Sequence, residues 1–262
     1  MELLVRDESR GVEIQALVEG AGPDVVLIAS ALRGAEDFAG VQAALTAGGF
    51  RSLAINMRGA GKSTGPGEGL TLRDVADDVA LVIERECGGR AHVVGHALGN
   101  IVARATASYR PDVVRTVTAM PGGGHNLAKY ATPPEVLRHF SRCHDLSLPK
   151  AERIESLQVA FFAPVSDPSC WLDGWWPSAR AVSQAAQQAA PEEWWRAGDV
   201  PILIVHPRDD AFSPRSASRE TAEALGERAT FVELPDCGHA LLPEAPGPVA
   251  ENLIRFFRAQ EQ

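Results

Sequence analysis

The chain has 262 residues, 45% hydrophobic and 23% charged, with a formal net charge of −9, which is the makeup of a globular protein long enough for one sizeable core. No run of about 18 apolar residues is present to span a bilayer. The negative balance argues against nucleic acid as a partner, because phosphate binding needs clustered Lys and Arg. Met1 to Asp7 lacks the basic region followed by an apolar stretch that marks a secretory signal, so the expected location is the cytoplasm. The four cysteines, Cys87, Cys143, Cys170 and Cys237, show neither a Cys-x-x-Cys pair nor metal-ligand spacing and read as free, reduced thiols. Cys237 stands two residues before His239, which raises a thiol nucleophile, although a free cysteine is more often a small buried hydrophobe.

In chain order, Gly11 to Val18 alternates apolar and polar residues as a half-buried strand does, and Gly20-Ala21-Gly22-Pro23 marks a turn. Asp24 to Ala29 is a short apolar run of the kind buried on both faces of a parallel sheet, with Ser30-Ala31-Leu32-Arg33-Gly34 at its exit. Phe38 to Ala47 fits an amphipathic helix ended by Gly48-Gly49, and Phe50 to Ile55 is the next buried strand. The loop Asn56 to Ser63 contains Gly61-Lys62-Ser63, but a phosphate-binding loop needs another glycine where Asn56 stands. Thr71 caps a helix whose apolar stripe is Leu72, Val75, Val79, Val82 and Ile83. Arg90 to Val94 is again strand, Ile101 to Tyr109 helix, and Val113 to Met120 strand, ending at Pro121-Gly122-Gly123-Gly124-His125.

From about Asn126 to Gly198 the periodicity changes. This stretch holds all five tryptophans, Trp171, Trp175, Trp176, Trp194 and Trp195, among prolines and short helical pieces. It reads as a helical cap (126–198) inserted between two parts of a core domain (1–125 and 199–262). Rings that pack such a cap onto a sheet are common, and one or two of them lining an apolar pocket is expected, since sites sit at such junctions. Val200 to His206 resumes the buried-strand pattern, followed by a helix from about Arg215 to Leu225, a strand from Ala229 to Leu234, the loop Pro235 to His239 and a last helix near Pro248 to Arg258. Strands alternating with helices at this spacing imply an α/β fold with a doubly wound, mostly parallel sheet.

In such sheets the working residues gather at the carboxyl ends of strands. Those ends offer Ser30 and Ala31, the stretch Gly95-His96-Ala97-Leu98-Gly99, His125, Asp210 and His239. The two glycines flank Ala97 at the spacing of the Gly-x-Ser-x-Gly nucleophile elbow, and an elbow followed by an acid and then a histidine is a known triad order. Together with Arg58-Gly59-Ala60-Gly61-Lys62-Ser63, Asp210 to Pro214 and Gly238-His239, these features resemble the α/β-hydrolase fold superfamily over essentially the whole chain. The resemblance implies that Asp210 is the triad acid, His239 the base and Ala97 the nucleophile position. Asp209 is the runner-up acid, and the Asp-x-x-x-Pro spacing to Pro214 selects Asp210.

The chain departs from the pattern twice. Ala29-Ser30 replaces the usual His-Gly after the first central strand, so the oxyanion donors are expected to be the backbone N–H groups of Ala31 and Leu98. The elbow residue is alanine, which has no nucleophile. One explanation is a hydrolase in which His239, oriented by Asp210, activates water directly; the aminoacrylate hydrolases of pyrimidine breakdown are similar in carrying Gly-His-Ala-Leu-Gly. A second is an ordinary serine esterase or lactonase inactivated by replacement of its serine. A third is a ligand-binding module, or a cofactor-independent oxygenase or lyase, on the same fold.

The expected substrate is a small to medium, largely apolar ester, lactone or activated amide, handled without cofactor or metal. Ser30, His125, Trp175 and Trp176 are the candidate contacts to it. His96 reads as packing beside the elbow, Asn100 as bonding within the following helix, and Arg58 as pinning its own loop, with a substrate carboxylate the alternative. His92, His139, His144 and His206 form no recognisable metal set. Neither substrate identity nor oligomeric state is written in a motif.

Overall fold

The computed structural model describes residues 1–121, 124, 126 and 129–261. Among them runs one eight-stranded sheet built from β1 (Glu2–Asp7), β2 (Val12–Gly20), β3 (Asp24–Ile28), β4 (Arg51–Ile55), β5 (Ala91–His96), β6 (Val114–Met120), β7 (Ile202–Pro207) and β8 (Ala229–Leu234). Their spatial order is β1-β2-β4-β3-β5-β6-β7-β8. β2 pairs antiparallel with β1 and β4, and every pairing from β4 to β8 is parallel. The expected doubly wound sheet is therefore present, with one strand more than the pattern suggested. β1 was invisible to the pattern because it is an edge strand: Val5 alone is buried, between the exposed Leu4 and Arg6.

Alternation along the central strands explains their unbroken apolar runs. Val26, Ile28, Leu53, Ile55, Val93 and Val117 point to one face, where α2 (Leu72–Glu86) and α3 (Leu98–Tyr109) cover them. Val25, Leu27, Ala54, Val94, Leu203 and Val205 point to the other, covered by α1 (Ala39–Ala47) and the C-terminal helices α8 (Leu241–Glu244) and α9 (Pro246–Ala259). A strand sandwiched between helices has no polar face to display. The start of α2 is set locally, since Thr71 Oγ1 accepts from the Asp74 amide at 3.2 Å while the Asp74 carboxylate accepts from the Thr71 amide at 2.9 Å, a reciprocal cap worth about 1 kcal/mol.

Between β6 and β7 the described residues contain no strand. α4 (Pro134–Cys143) and α5 (Lys150–Ala160) pack on each other, and Trp171 and Trp175 join them in a separate apolar cluster. α6 (Arg180–Gln188) instead lies against α2 and α3, and Val182, Ala185, Ala186 and Trp194 belong to the layer beneath the sheet. α7 (Arg215–Leu225) follows β7. No helix among the described residues is long and apolar enough to cross a membrane.

Three imidazoles are buried in or beside this sheet. His92 stacks on Phe257 at 4.2 Å, with its Nδ1 2.9 Å from Thr116 Oγ1, and burial pushes its pKa down to about 4. His96 is pushed down to about 3, again chiefly by burial, and His206 is lowered for the same reason. All three are neutral in the fold, whereas the unfolded chain takes up their protons below the ordinary value of 6.5. Their stabilisation is complete above that pH and is lost on acidification toward the folded values, at up to about 1.4 kcal/mol per pH unit for each. The urea midpoint is therefore expected to fall between pH 7 and pH 5, before most carboxylates protonate. A flat midpoint over that range contradicts the assignment.

Candidate active site

β5 ends at His96 and α3 begins at Leu98, leaving Ala97 alone to turn the chain. It does so at φ 50° and ψ −108°, held by its amide's hydrogen bond to the Met120 carbonyl at 2.8 Å. A non-glycine residue in this region stores about 1–3 kcal/mol of strain that its surroundings must sustain. The flanking glycines follow from the same close approach of strand and helix. A Cβ on Gly95 would overlap the Gly99 carbonyl, and one on Gly99 would overlap the Ile28 carbonyl. The spacing around Ala97 thus has a steric cause in this fold.

Asp210 lies in the loop after β7, and its Oδ1 accepts from the amides of Phe212 at 2.8 Å and Ser213 at 2.9 Å. Both of its carboxylate oxygens are 3.0 Å from Nδ1 of His239, and the side chains are 0% and 2% exposed. Burial works to raise the Asp210 carboxyl, but the charge and hydrogen bond of His239, with the Ser213 amide, hold it below its ordinary value. A carboxylate accepts only, so Nδ1 carries a proton toward Asp210, and when the ring is neutral its lone pair is on Nε2. Asp209 is exposed, its amide bonded to the Cys237 carbonyl, so the runner-up acid faces away.

The His239 loop is tied at several points. Nε2 of His96 donates to the His239 carbonyl at 2.8 Å. The Ala240 amide donates to the Phe161 carbonyl at 2.8 Å. The Glu244 carboxylate accepts from the Gly238 amide at 2.8 Å and the Ala163 amide at 2.9 Å, bridging this loop to the segment after α5. Aromatic rings enclose the imidazole: Phe212 lies 4.9 Å and Phe161 5.6 Å from it, centroid to centroid, and Phe161 stacks on Phe212. Because its donated proton is on Nε2 and burial keeps it neutral, His96 serves here as a donor.

After β3, the Ser30 carbonyl accepts from the Arg33 amide at 3.1 Å, with Leu32 at φ 59° in the turn so formed. Arg33 is buried. It pairs with both oxygens of Asp37 at 2.9 and 2.5 Å, donates to the Asp173 carbonyl at 2.7 Å, and lies 4.6 and 4.7 Å over the rings of Trp171 and Trp175. The Leu32 carbonyl accepts from the Trp176 amide at 2.8 Å. A loop lacking the usual His-Gly is thus shaped by the tryptophan segment above it. Leu98 opens α3, and its amide, like the others of a first helical turn, has no acceptor in its own helix. Ala31 is half-buried and borders a cleft.

The structure brings Ala97, Leu98, His239, Asp210, Ser30 and Ala31 to the carboxyl edge of the sheet. Trp175 joins the aromatic cluster around His239 through Phe140 and Phe161, with its indole N–H on the Trp171 carbonyl at 2.7 Å. Trp176 does not join it. Its ring sits beside Gly34, because neighbouring residues in an extended stretch point in opposite directions. His125 lies outside the described residues. Ser30 is buried at 5% exposure. Cys237 is buried with its thiol pushed up to about 12, which removes it as a nucleophile. Arg58 holds Asp78 through Nε at 2.6 Å and a terminal nitrogen at 2.9 Å and donates to the Pro66 carbonyl, pinning its own loop. No cluster of three or more His, Cys, Asp or Glu suited to a metal occurs among the described residues.

Phe140, Phe161, Phe212, Arg33 and Glu244 belong to the site and had no local signature. Phe212, two residues beyond Asp210, and the Phe161-Phe162 doublet in the helical segment are the only sequence hints of them.

A family model described as the alpha/beta hydrolase family matches residues 20–252. The chain is 27% identical over 240 residues to the bifunctional esterase/perhydrolase DCH of Acinetobacter calcoaceticus, covering 80% of this chain and 83% of that protein. It is 26% identical over 262 residues to RutD of Rhizobium rhizogenes, a proposed carbamate hydrolase, covering 90% and 94%. In fold it is similar to the enol-lactonase of Burkholderia xenovorans, with a TM-score of 0.77 at 20% identity over 95% of this chain and 97% of the other.

Proposed function

Because the chain belongs to the alpha/beta hydrolase family, we propose that it hydrolyses a small to medium, largely apolar ester, lactone or activated amide by direct attack of water. The observation that carries this reading is the buried His239–Asp210 pair, with Nδ1 3.0 Å from both carboxylate oxygens, at an elbow whose central residue is Ala97. In the proposed reaction Nε2 of His239 removes a proton from water as its oxygen bonds to the substrate carbonyl carbon. Asp210 stabilises the imidazolium so formed. The N–H groups of Ala31 and Leu98 receive the negative charge that develops on the carbonyl oxygen. When the tetrahedral intermediate collapses, the bond to the leaving oxygen or nitrogen breaks and that atom takes the proton back from His239.

Relatives named as an esterase/perhydrolase and a proposed carbamate hydrolase support chemistry at acyl C–O or C–N bonds. One observation favours a second reading, that of a serine hydrolase whose nucleophile has been replaced: Ala97 retains the strained backbone that a nucleophile elbow uses. Rapid-mixing assays with p-nitrophenyl esters, paired with intact mass measurement during turnover, separate the two. Under the water reading the wild-type protein turns over with p-nitrophenol released linearly from the first turnover and no acyl adduct. Absence of any hydrolysis across ester, lactone and amide panels would leave the second reading standing.

A further inference from the structure

A cleft of about 300 Å³ opens beside the loop that carries Ala31. Ala31 and Leu32 form one wall, Phe140 and His144 from the α4 region another, and Arg180 and Gln184 of α6 a third. Phe140 stands between this cleft and the proposed base: its ring is 5.8 Å from Phe212, which is 4.9 Å from His239. The cleft therefore meets the site at Ala31 and reaches His239 only through the Phe140 and Phe212 rings.

Its charge is unusual for this protein. The chain has 34 acidic against 25 basic residues, and its buried arginines are engaged: Arg33 with Asp37, Arg58 with Asp78, Arg153 with the carbonyls of Cys143 and Leu172. Arg180, at the exposed mouth of the cleft, has no ion pair or side-chain hydrogen bond among the described residues. Among the described residues the cleft lining holds no carboxylate. His144 donates from Nδ1 to the Phe140 carbonyl at 3.0 Å, and burial together with Arg180 disfavours a second positive charge there, against the opposing pull of Asp145. One guanidinium beside an imidazole whose charged form burial disfavours, with Ser141, Ser183 and Gln184 around them, matches a planar monoanion taken by a two-pronged contact. A phosphate dianion would call for a second cation.

We propose that this cleft binds a carboxylate of the substrate, with Arg180 as its partner, so that the preferred substrates are acyl compounds bearing a carboxylate at the end remote from the reacting carbonyl. This rests on the hydrolase reading above and narrows its substrate class.

The test compares mono-p-nitrophenyl glutarate with p-nitrophenyl valerate, which share a leaving group and differ in the terminal charge. The ratio of their kcat/KM values is expected to favour the glutarate in the wild-type protein and to drop roughly tenfold or more in Arg180→Gln, the usual scale for losing a hydrogen-bonded charge partner; Arg180→Lys should recover part of it. Glutarate itself, titrated against tryptophan fluorescence, reads binding without turnover, and its affinity should weaken in Arg180→Gln to a similar degree. Hydrolysis of both esters with an equal ratio in wild type and Arg180→Gln, and glutarate affinity unchanged by the substitution, would overturn the carboxylate assignment and leave the hydrolase reading intact. Glutarate binding that depends on Arg180 without hydrolysis of either ester would support the anion site and count against the hydrolase reading.

Discussion

Replacing His239 by alanine is expected to lower kcat/KM by a factor of roughly 10²–10⁴, the range general-base catalysis supplies. The argument is geometric. Nδ1 is committed to Asp210, which leaves Nε2 as the nitrogen able to take a proton, and the ring is only 2% exposed. Alanine also leaves the Asp210 carboxylate buried without its partner, which destabilises the fold by an amount that can reach several kcal/mol. The substitution is therefore paired with Asp210→Asn, which retains shape and removes the charge while letting the imidazole adopt the wrong tautomer. Thermal unfolding of both variants identifies the temperature range in which each is folded, and rates are compared there. Rates within a factor of two or three of wild type in folded His239→Ala would remove the general-base role.

Serine at position 97 is expected to form a covalent acyl-enzyme. The elbow already presents its central residue at φ 50°, and neither Gly95 nor Gly99 can be larger without overlap with the backbone, so the architecture that exposes a nucleophile is intact. A hydroxyl added there is expected to meet the His239 base, which Asp210 orients. The expected result with p-nitrophenyl esters is a burst of p-nitrophenol near one equivalent, an intact-mass increase equal to the acyl group, and a rise of about 10² or more in the rate of the first turnover. Those changes followed by rapid deacylation would identify the chain as a serine hydrolase lacking its serine. A burst that then stalls would indicate a site adapted to direct attack by water. No adduct at all would mean that the Ala97 methyl position and the His239 ring do not share a reacting space.

Both experiments depend on the ring of aromatic side chains above the pair. Phe161 and Phe212 stack on each other and lie tilted against His239, and Phe140 and Trp175 extend the cluster toward α4. Such walls keep bulk solvent from the imidazole and favour an apolar acyl portion beside the attacking water. The polar end of a substrate then belongs in the cleft beside Arg180.

The sequence by itself determined the parallel sheet and the glycine spacing of the elbow, while Asp210 and His239 came from its resemblance to the α/β-hydrolase fold and the acid's spacing to Pro214. Those features are local or strictly spaced: apolar runs of strand length, glycines two residues either side of a turn, an acid four residues before a proline. Their physical cause acts between near neighbours, so it leaves a mark on the order of residues. What only the tertiary structure decided is which side chains surround that pair. Trp175 and Trp176 are adjacent in the chain, yet one joins the aromatic cluster and the other packs beside Gly34. Arg33 was one loop residue among several until Trp171, Trp175 and Asp173 were placed around it. Glu244 bridges Gly238 to Ala163, across 81 positions of sequence. Such contacts follow from how the helical segment settles on the sheet, which is governed by the summed packing of many nonlocal apolar groups and by no residue spacing that can be read along the chain.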